Sequence, residues 1–230
     1  MSEKRLDHFK AGVNLGHWLS QNGGKGDDNY FNTWIQEADI ARIAGWGMDH
    51  IRVPVDYFTF ETSPDIYDEG RLGFIDRCLD WCKKYGLSMI LDLHEAPGYS
   101  FFNTNETDRA DVSTGSKSNT LFADTALQER FIRIWLMFAR RYRSEGRNLA
   151  FELLNDIVLD DIGPWNRLWK AAVEKIRVID PDRTIIIGPN RNSDASELKN
   201  LEVTDDPGVV YTFHFYEPDI FTHQKSPFIS

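Results

Sequence analysis

Phe151-Glu152-Leu153-Leu154-Asn155-Asp156 is the stretch that decides the fold: an apolar run that reads as a buried strand stops at two polar residues of catalytic type. The same design recurs three times. Arg52 lies in His50-Ile-Arg-Val-Pro-Val55, His94 ends Met89-Ile-Leu-Asp-Leu-His94, and His214 with Tyr216 ends Val209-Val-Tyr-Thr-Phe-His-Phe-Tyr216. Polar groups at the carboxyl ends of successive parallel strands mark the active face of a (β/α) barrel.

Outward from these runs, strands and amphipathic helices alternate at a steady pace. Strands are expected near Lys10–Asn14, His50–Val55, Ser88–His94, Leu149–Asn155, Thr184–Gly188 and Val209–Tyr216. Ile75, Cys78, Leu79 and Cys82 follow helical spacing, as do Leu127, Phe131, Ile134, Trp135 and Phe138. Trp165, Leu168, Trp169, Ala172, Val173 and Ile176 form a third stripe, and all three are expected to pack into the core. Near-continuously apolar strands between helices imply a parallel sheet with helices outside. Six βα units are counted, whereas a closed barrel has eight in ~250 residues. The expected fold class is therefore α/β, of (β/α)8 TIM-barrel type but incomplete, in a single domain over residues 1–230. A doubly wound open sheet also fits six strands, but its phosphate-binding glycine fingerprint is missing after the first one. Residues 103–119 form the long polar stretch, expected as a loop over the active face.

Composition narrows the function. The 230 residues are 41% hydrophobic, ordinary for a globular domain, and carry a formal net charge of -10. That charge argues against nucleic acid and anionic membrane as partners, but not against a neutral polysaccharide. No apolar run approaches the ~18 residues of a membrane span. The segment Met1-Ser-Glu-Lys-Arg-Leu-Asp-His8 has no apolar signal region, which leaves a cytoplasmic protein or one whose leader is removed. Cys78 and Cys82, four apart on a helix, read as two reduced core thiols; nothing nearby completes a metal ligand set.

Period two decides which strand residues face inward. Asp92 and His94 share one face, with Met89, Leu91 and Leu93 on the other; His214 and Tyr216 likewise oppose Phe213 and Phe215. In both strands the polar pair is expected inside the barrel and the apolar set against the helices.

Five segments together carry a family resemblance: Gly12-Val-Asn-Leu-Gly-His-Trp18, Gly47-Met-Asp-His-Ile-Arg-Val-Pro-Val-Asp-Tyr57, Leu91-Asp-Leu-His-Glu-Ala-Pro-Gly98, Phe151-Glu-Leu-Leu-Asn-Asp156 and Tyr211-Thr-Phe-His-Phe-Tyr216. In this order they closely resemble glycoside hydrolase family 5, nearest to clostridial-type endoglucanases. The resemblance implies that Asn155 hydrogen-bonds the sugar 2-hydroxyl and that Asp156 holds the acid/base position. It implies that Arg52 keeps a catalytic carboxylate ionised, that His94 and His214 orient substrate and carboxylates, and that Tyr216 contacts the nucleophile or ring oxygen. Asn14 and Trp18 would lie at the substrate cleft, Trp18 being equally readable as core. Tyr99, Phe101 and Phe102 are readable as sugar platforms or as a loop packed on itself. Neither a metal nor a cofactor is implied.

Two departures stand against these matches. The family has Glu where this chain has Asp156, and the missing methylene withdraws the reactive oxygen by roughly an ångström, enough to cost ~100-fold in rate. Glu152 is expected too deep in its strand to replace it. Retaining enzymes also need a second carboxylate ~5–5.5 Å away as nucleophile. The family places that Glu on the seventh strand, and a platform Trp on the eighth, whereas the sequence reaches Ser230 after the sixth. Glu217 reads as a rim or structural residue. The leading expectation is an endo-acting, retaining β-glucanase, with this chain inactive or impaired. The alternative is a degenerate barrel that binds carbohydrate without cleaving it. Open sheet edges lead to an expectation of self-association.

Overall fold

A computed structural model describes residues 6–22, 26–101 and 119–224. The chain runs β1 (Gly12–Asn14), α1 (Asp28–Thr33), α2 (Glu37–Gly45), β2 (His50–Asp56), α3 (Tyr57–Phe60), β3 (Glu61–Ser63), β4 (Ile66–Tyr67), α4 (Glu69–Tyr85) and β5 (Ser88–Glu95). It continues through α5 (Thr125–Arg141), β6 (Leu149–Glu152), α6 (Gly163–Ile179), β7 (Thr184–Ile187), α7 (Asn190–Ser193), β8 (Val209–Tyr211) and α8 (Asp219–Thr222). Six strands pair in parallel in the order β1-β2-β5-β6-β7-β8, and β3 with β4 forms a small antiparallel ribbon beside them. Each strand of the large sheet lies next to its sequence neighbour, the order of a barrel wall. The alternation of strands and helices in the sequence is thus realised as a (β/α) barrel with six of its units.

Side-chain alternation separates two apolar layers. Met89, Leu91 and Leu93 enter the large core between sheet and helices, while Ile90 meets Ala150 and Ile186 on the inner face. Phe9 and Val210 pack against that smaller inner cluster. The three helical stripes face the outer core as their spacing predicts. Ile75, Cys78, Leu79 and Cys82 of α4 are buried, and so are Phe131, Ile134, Trp135 and Phe138 of α5. Asp68 and Asp124 cap α4 and α5 by accepting backbone N–H bonds, and Gly86 ends α4 in the left-handed conformation that suits glycine. The α6 stripe places Trp165 so that its indole donates to Gly188 O at 3.0 Å, while Trp135 of α5 donates to Leu153 O at 3.1 Å. Both bonds tie a helix to the carboxyl end of a strand, the side on which polar residues gather.

Cys78 and Cys82 are free and buried, and the neighbouring Cys82 thiol together with burial pushes the Cys78 thiol well up. Among the described residues no helix is long and apolar enough to cross a membrane.

Two strands end earlier than their apolar runs suggest. β6 stops at Glu152, yet Leu153 N still donates to Ile186 O and Asn155 N to Leu93 O, each at 3.2 Å, so the segment keeps bonding to its neighbours on both sides. β8 stops at Tyr211, after which Thr212 N donates to Ile187 O and His214 N to Ser193 O. Phe213 and Phe215 differ from expectation: they are 49% and 70% exposed instead of packed on helices. β8 is an edge strand, and no described helix covers that side of it.

Candidate active site

Arg52 is the hub of the inner face. Its Nε and Nη2 donate to Glu152 at 2.7 and 2.9 Å, its Nη1 to Asn14 Oδ1 at 2.9 Å, and its Nη2 also to Asn155 Oδ1 at 2.9 Å. Asp92 Oδ2 lies 2.9 Å from Nη2. The reason is register: Asp92 on β5 stands opposite Glu152 on β6, and Arg52 on β2 is level with Ile90, one inward position lower. The long guanidinium stem reaches up from below to bridge the two carboxylates. Arg52 is expected from the resemblance to serve a catalytic carboxylate; the carboxylates it grips directly are Glu152 and Asp92, with Asp156 acting only at longer range.

Burial opposes every charge in this cluster, and the partners decide the outcome. For Arg52, the attraction of Asp92 and Glu152 outweighs burial and raises its pKa further. Burial pushes Glu152 up, but Arg52 wins and holds it below the usual carboxylate range. Asp92, fully buried, is pushed up by desolvation despite Arg52. His94 Nδ1 sits 2.7 Å from Asp92 Oδ2, which overcomes burial and raises the imidazole pKa.

Asn155 and Asp156 follow β6. Asn155 is 2% exposed; its Oδ1 is taken by Arg52, while its buried Nδ2 has no hydrogen-bond partner. At Asp156 the backbone adopts φ +45°, a left-handed conformation that Asp tolerates better than most residues. This sharp bend at the strand end brings the carboxylate to His214, whose Nδ1 lies 2.8 Å from Oδ1. Burial raises Asp156, but the His214 bond and charge outweigh it and hold the carboxyl below its ordinary value. In return Asp156 raises His214 against the opposing effect of burial. The carboxyl is thereby held ionised rather than as a protonated acid.

The remaining expected site residues divide. Asn14 is exposed at the end of β1 and fastened to Arg52. Tyr216 is 53% exposed beside the His214 ring, and Glu217 is exposed at the same edge. Trp18 is a core residue: it is fully buried and its indole donates to Phe31 O at 2.9 Å, leaving no surface for a sugar. Tyr99 is 1% exposed, so it is no rim platform either. Its hydroxyl donates to Asp156 O at 2.7 Å and accepts from Val158 N at 2.8 Å, clamping the turn that aims Asp156. Phe101 packs edge-on against His94 with ring centres 5.4 Å apart. Phe102 and residues 103–118 of the expected loop lie outside the described residues; Asn119 accepts a bond from Ser100 N.

Sequence reasoning passed over Asp56. Buried at the end of β2, it accepts a bond from Gln21 N at 3.0 Å and so anchors the segment after β1; desolvation pushes it up to about 6. The acid in His50-Ile-Arg-Val-Pro-Val-Asp56 closes an apolar strand run, and that polar ending is the signal that marks it. Among the described residues no group of His, Cys, Asp and Glu is arranged to hold a metal ion.

Residues 11–229 match the family model described as Cellulase (glycosyl hydrolase family 5). Over 220 residues the chain is 46% identical to Endoglucanase C of Acetivibrio thermocellus, covering 95% of this chain and 60% of that protein. Cellodextrinase A of Ruminococcus flavefaciens is 37% identical, with 93% and 60% covered. The chain thus spans about 60% of the length of these curated relatives. Among solved structures, an endoglucanase of Thermotoga maritima superposes with a TM-score of 0.78 at 24% identity, covering 99% of this chain and 67% of that one.

Proposed function

The chain belongs to glycosyl hydrolase family 5, the cellulases, and from that premise we propose that it binds a β-linked glucan along the carboxyl ends of its strands as part of an endo-acting, retaining hydrolase. The observation that carries this reading is Asn155. Its side chain is pinned by Arg52 through Oδ1, and its buried Nδ2 makes no well-aligned bond within the protein, although it lies close enough to the Asp156 carboxylate at the acid/base position to help lower it. A buried donor left wholly unsatisfied costs ~1–3 kcal/mol, and a sugar 2-hydroxyl is an acceptor that completes the pairing of Nδ2. In the retaining mechanism Asp156 would protonate the leaving oxygen and then deprotonate the attacking water. A second carboxylate ~5–5.5 Å away forms the glycosyl intermediate. The family resemblance implies that this nucleophile is a Glu on the seventh strand of the barrel, and Glu217, exposed at the β8 edge, is read as a rim residue.

Asp156 itself favours a second reading, binding without cleavage. A glycosidase acid needs a raised pKa, whereas His214 draws Asp156 down. Its side chain is also one methylene shorter than Glu, and a misplacement on that scale costs ~100-fold. Calorimetry with cellotetraose tests recognition: binding heat that Asn155→Ala abolishes supports the site, and equal heats for both proteins remove it. Turnover of an activated aryl β-cellobioside, whose leaving group needs little protonation, then separates a weakened hydrolase from a binder.

A further inference from the structure

Four of the tryptophans, Trp18, Trp135, Trp165 and Trp169, are almost fully buried, with each indole N–H bonded inside the protein. Trp34 and Trp46 are at least half exposed, at 50% and 62%. Their positions differ. Trp46 closes α2 just ahead of β2 and so lies toward the amino ends of the strands. Trp34 closes α1, and its indole reaches back to the segment that leaves the carboxyl end of β1, donating to Gly16 O at 3.3 Å.

The Trp34 ring is held rather than loose. Tyr30 stacks on it with centroids 5.1 Å apart and planes 21° from parallel, and the Tyr30 hydroxyl donates to His17 O. A half-exposed indole fixed by a hydrogen bond and a stacked neighbour has little rotamer freedom left to lose when a ligand covers it. Such a ring offers a rigid apolar face with a polar edge, a form that suits the C–H faces of a neutral sugar.

The platform also connects to the site already described. Gly16 carries no side chain, and a Cβ there would sit 3.4 Å from Asn14 Nδ2. Asn14 bonds Arg52, and Arg52 bonds Asn155. Trp34 therefore joins the backbone two residues beyond Asn14, which leads through Arg52 to Asn155 beside the acid/base position.

We propose that Trp34, backed by Tyr30, is a sugar-stacking subsite that extends the cleft past the Asn14–Arg52 corner and selects for longer β-glucan chains. This rests on the reading that the cleft binds β-glucan. The test titrates the unmodified protein, Trp34→Ala and Trp34→Phe with cellobiose and with cellohexaose. Trp34→Ala weakens cellohexaose binding about tenfold, leaves cellobiose binding unchanged, and Trp34→Phe restores most of the loss. If Trp34→Ala binds cellohexaose as tightly as the unmodified protein, the subsite is refuted while the glucan reading stands. Equal weakening for both sugars makes Trp34 structural and also refutes it. If the unmodified protein binds neither sugar, the glucan reading falls and the subsite with it.

Discussion

Replacing Arg52 with Met tests the electrostatic hub directly. The substitution keeps an unbranched stem of similar reach but leaves Glu152 and Asp92 facing each other inside the barrel, 5% and 0% exposed. Removing one partner of a buried ion pair costs about 3–5 kcal/mol, because the remaining charge is stranded in a low-dielectric setting. For a domain of this size each kcal/mol lowers Tm by about 2–4 °C, so the expected drop at pH 7 is about 6–20 °C. The sign of the pH dependence follows from the carboxylates. Glu152 is depressed in the native protein, so its contribution is present above its unfolded pKa of ~4.3 and fades as pH falls. In Arg52→Met burial loses its main opponent, Glu152 and Asp92 titrate higher when folded, and the variant gains relative stability on acidification. Urea unfolding followed by tryptophan fluorescence at pH 7 and pH 4.5 measures the gap between the two proteins, which should narrow at the lower pH. A gap below about 1 kcal/mol at pH 7, the range of a surface pair, or one that does not change with pH, would refute the assignment of Arg52 as the neutralising hub.

The His214–Asp156 pair predicts an imidazole titration, followed by NMR, above the ordinary ~6.5, because Asp156 outweighs burial. Asp156→Asn should bring it back below that value, and no change between the two proteins would break the pairing. The sheet edges predict self-association: among the described residues β1 and β8 each pair on one side only, and Phe215, Ile220 and Phe221 are exposed near the β8 edge at 70%, 76% and 68%. Sedimentation velocity should show concentration-dependent species that Phe215→Lys reduces; a single sharp monomer at all concentrations counts against it.

Local pattern in the sequence is enough to determine the barrel order and the face on which chemistry gathers. Apolar runs with a period of two dictate that Asp92 and His94 point inward while Met89, Leu91 and Leu93 pack outward, because successive residues of a strand must alternate sides. Helical spacing equally dictates the buried stripes of α4, α5 and α6. What the sequence does not contain is the level at which one strand stands against another. Only the pairing of Asp92 with Glu152 across β5 and β6 brings both carboxylates within reach of an arginine 100 positions away from one of them. The fate of the aromatics is tertiary as well. Trp18 and Tyr99 have the residue type of sugar platforms but are enclosed, and Trp34, which no motif singles out, stays half exposed at the rim. A side chain's exposure depends on which distant elements close over it, and adjacent residues carry no record of that.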